Sequence, residues 1–164
     1  MSFMAGEAEL QARIGKYAET NGIEMTDRLG GGVQGVVYQT TVASAIKAFN
    51  RAEHYEREVA VYRRLRARSV TNVCGFSVPR PIRYDDELLI LEMTIVQPPF
   101  VLDFASAGLD GPLYDHTPEA IEEWIESRKE LFEDNWPIVR RIISEFKSHG
   151  IFLSDVKPGN IMFE

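Results

Sequence analysis

Cysteine is nearly absent. Cys74 is the single thiol in 164 residues, which excludes an internal disulfide and fits a reducing compartment. Basic residues are in deficit, with 18 Lys and Arg against 25 Asp and Glu and a net charge of −7. A phosphate backbone is held by a basic surface, so nucleic acid is not an expected partner. No apolar run approaches the ~20 residues that span a bilayer, so no membrane partner is expected either. The opening Met1-Ser-Phe-Met-Ala-Gly-Glu lacks the charged and apolar regions of a secretory leader. These absences predict a cytoplasmic protein. Internal repeats and low-complexity tracts are also missing.

What is present is enough apolar material for a core: 45% of the residues are hydrophobic. The length suits one domain, or two small lobes sharing a hinge. Residues 7–19 have helical composition, with Leu10, Ile14 and Tyr17 on one face and Asn21-Gly22 as the stop. Three β-rich runs follow at 23–29, 35–42 and 43–49, the first two separated by glycines. From 51 to 68 the period becomes helical, with Tyr55, Val59, Tyr62 and Leu65 on one face and arginines around the rest. Residues 79–84 and 87–95 read as two strands turning at Asp85-Asp86. A linker-like stretch covers 100–116. Thr117-Pro118-Glu119 is a helix start, with a capping Thr, Pro at the first helical position and an acid in the first turn. Helices then run to His149, stopped by Gly150, and 151–164 reads as a loop returning into a strand. The order predicts an α+β fold: an antiparallel five-stranded lobe over residues 1–97 and a partial helical lobe over 98–164.

Three segments carry candidate chemistry. Leu29-Gly30-Gly31-Gly32-Val33-Gln34-Gly35-Val36-Val37 satisfies G-x-G-x-x-G-x-V, in which glycines let the backbone approach phosphate oxygens. An ordinary glycine hairpin is the plain alternative. A dinucleotide fold is disfavoured because Gly35 opens a β run rather than a helix, and a Walker loop is excluded because no Gly-Lys-Ser/Thr follows. Lys47 sits mid-strand, where an unpaired ammonium is costly, so it calls for an anion. Glu58, at the edge of the apolar face of the next helix, is better placed than Glu56 to supply one. Finally, Asp155, Lys157 and Asn160 in Leu153-Ser154-Asp155-Val156-Lys157-Pro158-Gly159-Asn160 can converge in a tight loop. There they would orient a hydroxyl, neutralise phosphoryl charge and ligate a metal ion; a polar turn is the alternative.

Together, and in this order, these segments resemble the eukaryotic-type Ser/Thr protein kinases also found in bacteria. Leu88-Leu89-Ile90-Leu91-Glu92-Met93 looks like the strand leading to the hinge that meets adenine. The resemblance implies ATP and Mg²⁺ as cofactors and a protein substrate or partner. It implies that Gly30, Gly32, Gly35, Val37, Ala45, Glu92 and Met93 surround the nucleotide. Lys47 would touch its phosphates and pair with Glu58. Asp155 would be the catalytic Asp, Lys157 a phosphate contact and Asn160 a magnesium ligand. Two departures stand out. Leu153-Ser154 replaces the family's His-Arg, and the Asp-Phe-Gly magnesium motif expected after Asn160 is not reached by Glu164. Half of the metal site then falls to Glu164 or another acid. The strand at 161–163 is expected to lack its hairpin mate, as in a kinase cut short. The short Lys47-to-Glu58 interval is expected to trim the helix that bears Glu58. An interaction module of pseudokinase type, without catalysis, is the alternative function. The arginines from Arg51 to Arg68 read as a solvated face, or as a docking face for an acidic partner. The acids from Glu119 to Glu130 read as a solvated helix surface.

Overall fold

A computed structural model describes residues 5–164; Met1–Met4, read above as part of a leaderless start, lie outside it. The fold is mixed α+β. Its centre is a five-stranded antiparallel sheet in the order β1-β2-β3-β7-β6, formed by β1 (Met25–Gly32), β2 (Gly35–Thr40), β3 (Ser44–Phe49), β7 (Ile90–Thr94) and β6 (Pro81–Asp85). The expected five strands are all present.

Each face of this sheet is covered by a helix. Helix α1 (Glu7–Asn21) buries Leu10, Ile14 and Tyr17 against Val36, Ile46, Ala48 and Ile90. It stops at Gly22, whose φ of 63° is left-handed backbone that glycine adopts without steric cost. Helix α2 (Ala52–Ala67) covers the other face, packing Tyr55, Val59, Tyr62 and Leu65 against Ala45, Phe49, Leu91 and Met93. It keeps 16 residues, so the short Lys47-to-Glu58 interval does not trim it. The economy lies in the tight connection through Asn50 and Arg51.

The helices α3 (Pro118–Phe132) and α4 (Trp136–Ser148), joined by one 3₁₀ turn, extend the same core with Phe132, Val139, Ile142 and Phe146. Thr117 caps α3 by accepting the Ala120 N–H at 3.2 Å, as its sequence predicts. Arg64 of α2 holds Asp110 at 2.9 Å and donates to the His149 carbonyl at the end of α4 at 3.2 Å. Arg63 lies over the Tyr84 ring at 5.0 Å. These two arginines are spent within the chain rather than offered to a partner.

The sequence reading missed a second, small sheet. It runs β11 (Ile161–Met162), β8 (Phe100–Val101), β5 (Phe76–Ser77), β4 (Asn72–Val73). The β4–β5 hairpin turns through Cys74 and Gly75, at φ 52° and 87°, which is the geometry of a tight two-residue turn. The stretch 100–116, read as a linker, supplies β8 and also β9 (Gly108–Leu109), which pairs with β10 (Ile151–Phe152). One expectation is corrected outright. The strand after Asn160 has a mate: β11 pairs antiparallel with β8, Ile161 opposite Val101. The mate precedes it in the chain, where a search for a following hairpin partner does not look. Among the described residues no helix is long and apolar enough to cross a membrane.

Glu92 turns its side chain away from the Lys47 face. Its side chain is 1% exposed and lies on the α1 face, opposite to the face bearing Lys47, because neighbouring strand residues alternate sides. It accepts hydrogen bonds from Tyr17 at 2.6 Å, Ser44 at 2.7 Å and Arg83 at 2.8 Å. The expected contact with a nucleotide is therefore not available to this side chain. Burial alone would push its pKa up, but the bonds from Arg83, Tyr17 and Ser44 outweigh burial and hold it below the usual value. A depressed carboxylate stabilises the fold above its unfolded pKa, about 4.3, and loses that contribution as pH falls through the folded value. Glu92→Gln is expected to destabilise the protein by about 2–4 kcal/mol at pH 7, since Arg83 and two hydroxyls lose a charged acceptor. Urea unfolding from pH 7 to pH 3 should show a shallower acid-side decline in the variant; parallel curves would remove Glu92 as the source.

Candidate functional site

Strand β3 is buried along its whole length, so Lys47 enters the interior with its ammonium. Lys47 Nζ donates to Glu58 at 2.7 Å and to Asp103 at 3.3 Å, and lies 4.8 Å from the centre of the Phe49 ring. Burial pulls the Lys47 pKa down, but the Glu58 and Asp103 charges outweigh it and leave it above the usual lysine value. Glu58, 1% exposed, is the inward-facing acid expected from its helical phase. It also accepts the Phe104 backbone N–H.

Above this pair lies the glycine hairpin. Gly32 pairs with Gly35 and the turn runs through Val33 and Gln34. Gly35 is obligatory: a Cβ there would sit 2.0 Å from the Ala48 carbonyl oxygen, and its φ is 150°. Gly30 and Gly32 differ, since a Cβ at either meets no atom within 4 Å. Their faces are open. Val37 stands opposite Lys47 in the ladder, and Ala45 opposite Met93, so these residues share the Lys47 face of the sheet. Ala45 and Met93 are buried in the core beside α2.

The loop after β10 places Asp155 and Asn160 together. Asn160, 6% exposed, donates its amide to the Asp155 carbonyl at 2.9 Å and to Asp155 Oδ2 at 3.0 Å. Lys157 reaches the same Oδ2 at 3.4 Å and is half exposed. Arg128 of α3 braces the loop through the Val156 carbonyl at 2.6 Å. Ser154, standing where the resemblance expects Arg, donates to the Ser106 carbonyl. Asp103, Asp155 and Asn160 line one small cavity of about 10 Å³, room for one water-sized occupant.

The sequence reading overlooked Asp103 and Ser106. Gln34 at the hairpin tip donates to Ser106 Oγ at 2.9 Å. The segment 103–106 thus touches the hairpin, Lys47, Glu58 and the 153–160 loop. A signal was there to find. Asp103-Phe104-Ala105 differs by one residue from the Asp-Phe-Gly sought downstream. The acids on α3 face solvent, with Glu126 paired to Lys129 at 2.6 Å.

Among the described residues, no group of three His, Cys, Asp or Glu side chains is arranged to hold a metal ion. The donors present are two carboxylates and an amide. That set fits Mg²⁺, which is commonly held by one or two carboxylates with phosphate oxygens and waters completing its shell.

No protein-family model matches the chain, and no curated protein matches it. Among solved structures it is similar to the streptomycin-ATP-APH(2")-IIa ternary complex, with 15% sequence identity and a TM-score of 0.40 over 79% of this chain. The match covers 37% of that protein's chain. A likeness of this extent leaves the chemistry to be argued from the site itself.

Removing one partner of the buried pair strands the other charge. Lys47→Met is expected to cost about 3–5 kcal/mol. Lys47→Met/Glu58→Leu should recover much of that loss in urea unfolding. A double variant no more stable than the single one would mean that the pair is not coupled in this way.

Proposed function

We propose that this chain binds ATP in a kinase-like cleft between the glycine hairpin and the 155–160 loop. The observation that carries the reading is the buried Lys47–Glu58 pair at 2.7 Å, set between strand and helix beneath a glycine hairpin whose open faces admit phosphate. On this reading residues 1–97 form the nucleotide-covering lobe and 98–164 the lobe bearing the acid loop. The phosphates would lie along Gly30 and Gly32, with Lys47 turned toward them. Val37, Ala45 and Met93 would supply the apolar wall on the same side of the sheet.

Phosphoryl transfer to a Ser or Thr hydroxyl of a protein is the reaction that the resemblance adds. Asp155 Oδ2 is held by Asn160 and Lys157, while Oδ1 accepts no hydrogen bond from the described residues. Oδ1 is the atom that would orient the hydroxyl and take its proton. Lys157 would lie beside the charge that grows on the moving phosphoryl group. Asn160 would hold Mg²⁺, which supplies charge neutralisation at the phosphates when bound.

The alternative is a partner-binding module without nucleotide. The small size of the cavity beside the 155–160 loop favours it, because a drug-sized ligand needs roughly 300 Å³ or more. On the ATP-binding reading the hairpin must lift and release Gln34 from Ser106.

Calorimetric titration with ATP separates the two. Gly32→Val is the informative variant, since the added side chain enters open space in the fold but the path of the phosphates. Wild type should bind ATP, and Gly32→Val should bind at least tenfold more weakly with an unchanged unfolding midpoint. Asp155→Asn should retain binding and lose turnover. ATP binding that ignores Gly32, or no binding at all, would reject the nucleotide cleft.

A further inference from the structure

The glycine hairpin and the 103–106 segment meet through Gln34 and Ser106, and the two sides of that contact are held very differently. The 103–106 side is fixed. Phe104 and Ala105 are 0% exposed. Asp103 is anchored by Lys47 at 3.3 Å, Glu58 accepts the Phe104 N–H, and Ser154 donates to the Ser106 carbonyl. Ser106 thus presents its hydroxyl from a rigid platform.

The hairpin tip has no such support. Strand β1 lies at the edge of the sheet with β2 as its neighbour, and none of its residues is buried. Its pairing with β2 shifts register twice between Met25 and Gly30. Val33, in the turn, is 82% exposed, so apolar packing does not draw the tip inward. A segment with few buried contacts opens at low cost. What holds this one down is polar. Gln34 Nε2 donates to Ser106 Oγ at 2.9 Å. The Asn50 backbone N–H donates to the Gln34 carbonyl at 3.0 Å, and the Asn50 side-chain amide donates to the Val33 carbonyl. Asn50 is also where the closed form is disfavoured. It is 7% exposed, and its Oδ1 has no hydrogen-bond partner among the described residues. A buried acceptor without a donor is destabilising, and water would satisfy it once the tip lifts. The closed tip therefore gains the bonds at Gln34 and Val33 and carries one unmet acceptor at Asn50. These effects oppose each other, which leaves the tip poised between closed and open.

We propose that the Gln34–Ser106 hydrogen bond is an autoinhibitory latch, which holds the glycine hairpin closed in the nucleotide-free protein and sets the fraction of molecules that admit ATP. The proposal rests on the ATP-binding reading and adds the regulation of that site. Apparent affinity is the intrinsic affinity scaled by the open fraction. One net hydrogen bond shifts such an equilibrium by about fivefold. Neither Gln34 nor Ser106 is among the residues assigned to the nucleotide. Releasing the latch therefore strengthens binding, whereas loss of a ligand contact would weaken it.

Gln34→Ala and Ser106→Ala each remove one end of the latch, and the double variant removes both. Calorimetry on the full chain would measure ATP affinity in Mg²⁺, and hydrogen exchange would follow the backbone amides of residues 30–35 without nucleotide. Each single variant should bind ATP about threefold or more tightly than wild type and exchange faster at 30–35. The double variant should bind no more tightly than either single one, because all three lose the same bond. Wild-type affinity in both single variants would overturn the latch while leaving the nucleotide cleft standing. Weaker binding would overturn it too, by making Gln34 or Ser106 a nucleotide contact. So would gains that multiply in the double variant, or exchange at 30–35 that does not quicken. Failure of wild type and all variants to bind ATP would reject the cleft and the latch together.

Discussion

The Lys47 ammonium organises the molecule. Buried in the middle strand of the main sheet, it obliges the chain to bring carboxylates inward, and it takes them from two distant places. Glu58 comes from the helix on one sheet face and Asp103 from the segment that follows β8. Satisfying one cation therefore joins sheet, helix and small sheet at one point. The interior dielectric makes each link stronger than it would be in water and makes each missing link expensive. The ordering of 103–106 by Glu58, Gln34 and Ser154 follows from the same demand.

The two helices on the main sheet play different parts. Helix α2 carries the acid for Lys47. Helix α1 closes the reverse side, where it creates a second buried charge site around Glu92. Arg13 ties α1 to the β6–β7 turn and the end of β3 by donating to the Leu88 and Phe49 carbonyls, each at 2.8 Å. One sheet thus carries two buried acid–base arrangements, one on each face. Only the arrangement around Lys47 adjoins the glycine hairpin and the 155–160 loop.

Much of this was legible in the sequence, for reasons that differ by segment. The helical phase of Tyr55, Val59, Tyr62 and Leu65 placed Glu58 inward, and mid-strand position alone required a partner for Lys47. The caps at Gly22, Thr117 and Gly150 mark helix ends by local backbone chemistry, which needs no tertiary knowledge. The direction of the Glu92 side chain was not legible because Ile90, Leu91, Glu92 and Met93 are all buried. With both faces covered, alternation vanishes and the sequence no longer says which way a side chain turns. Asp103 was missed because 100–116 has little periodicity, and its strands span two residues each. Such short strands exist only through their partners. The arginines of α2 are comparable, since Asp110 and His149 lie far along the chain from Arg64.

The pairing of β8 with β11 reaches from Phe100 and Val101 to Ile161 and Met162. Everything between them must be made before this ladder can close. A chain emerging from the ribosome can complete the five-stranded sheet while α3 and α4 are still unmade. Asp103 then has Lys47 to lean on but no Asn160 beside it. The 155–160 loop thus joins Asp103 only after the sheet has been made. Assembly of this centre becomes a late event in the birth of the molecule, separated in time from the folding of the sheet that supports it.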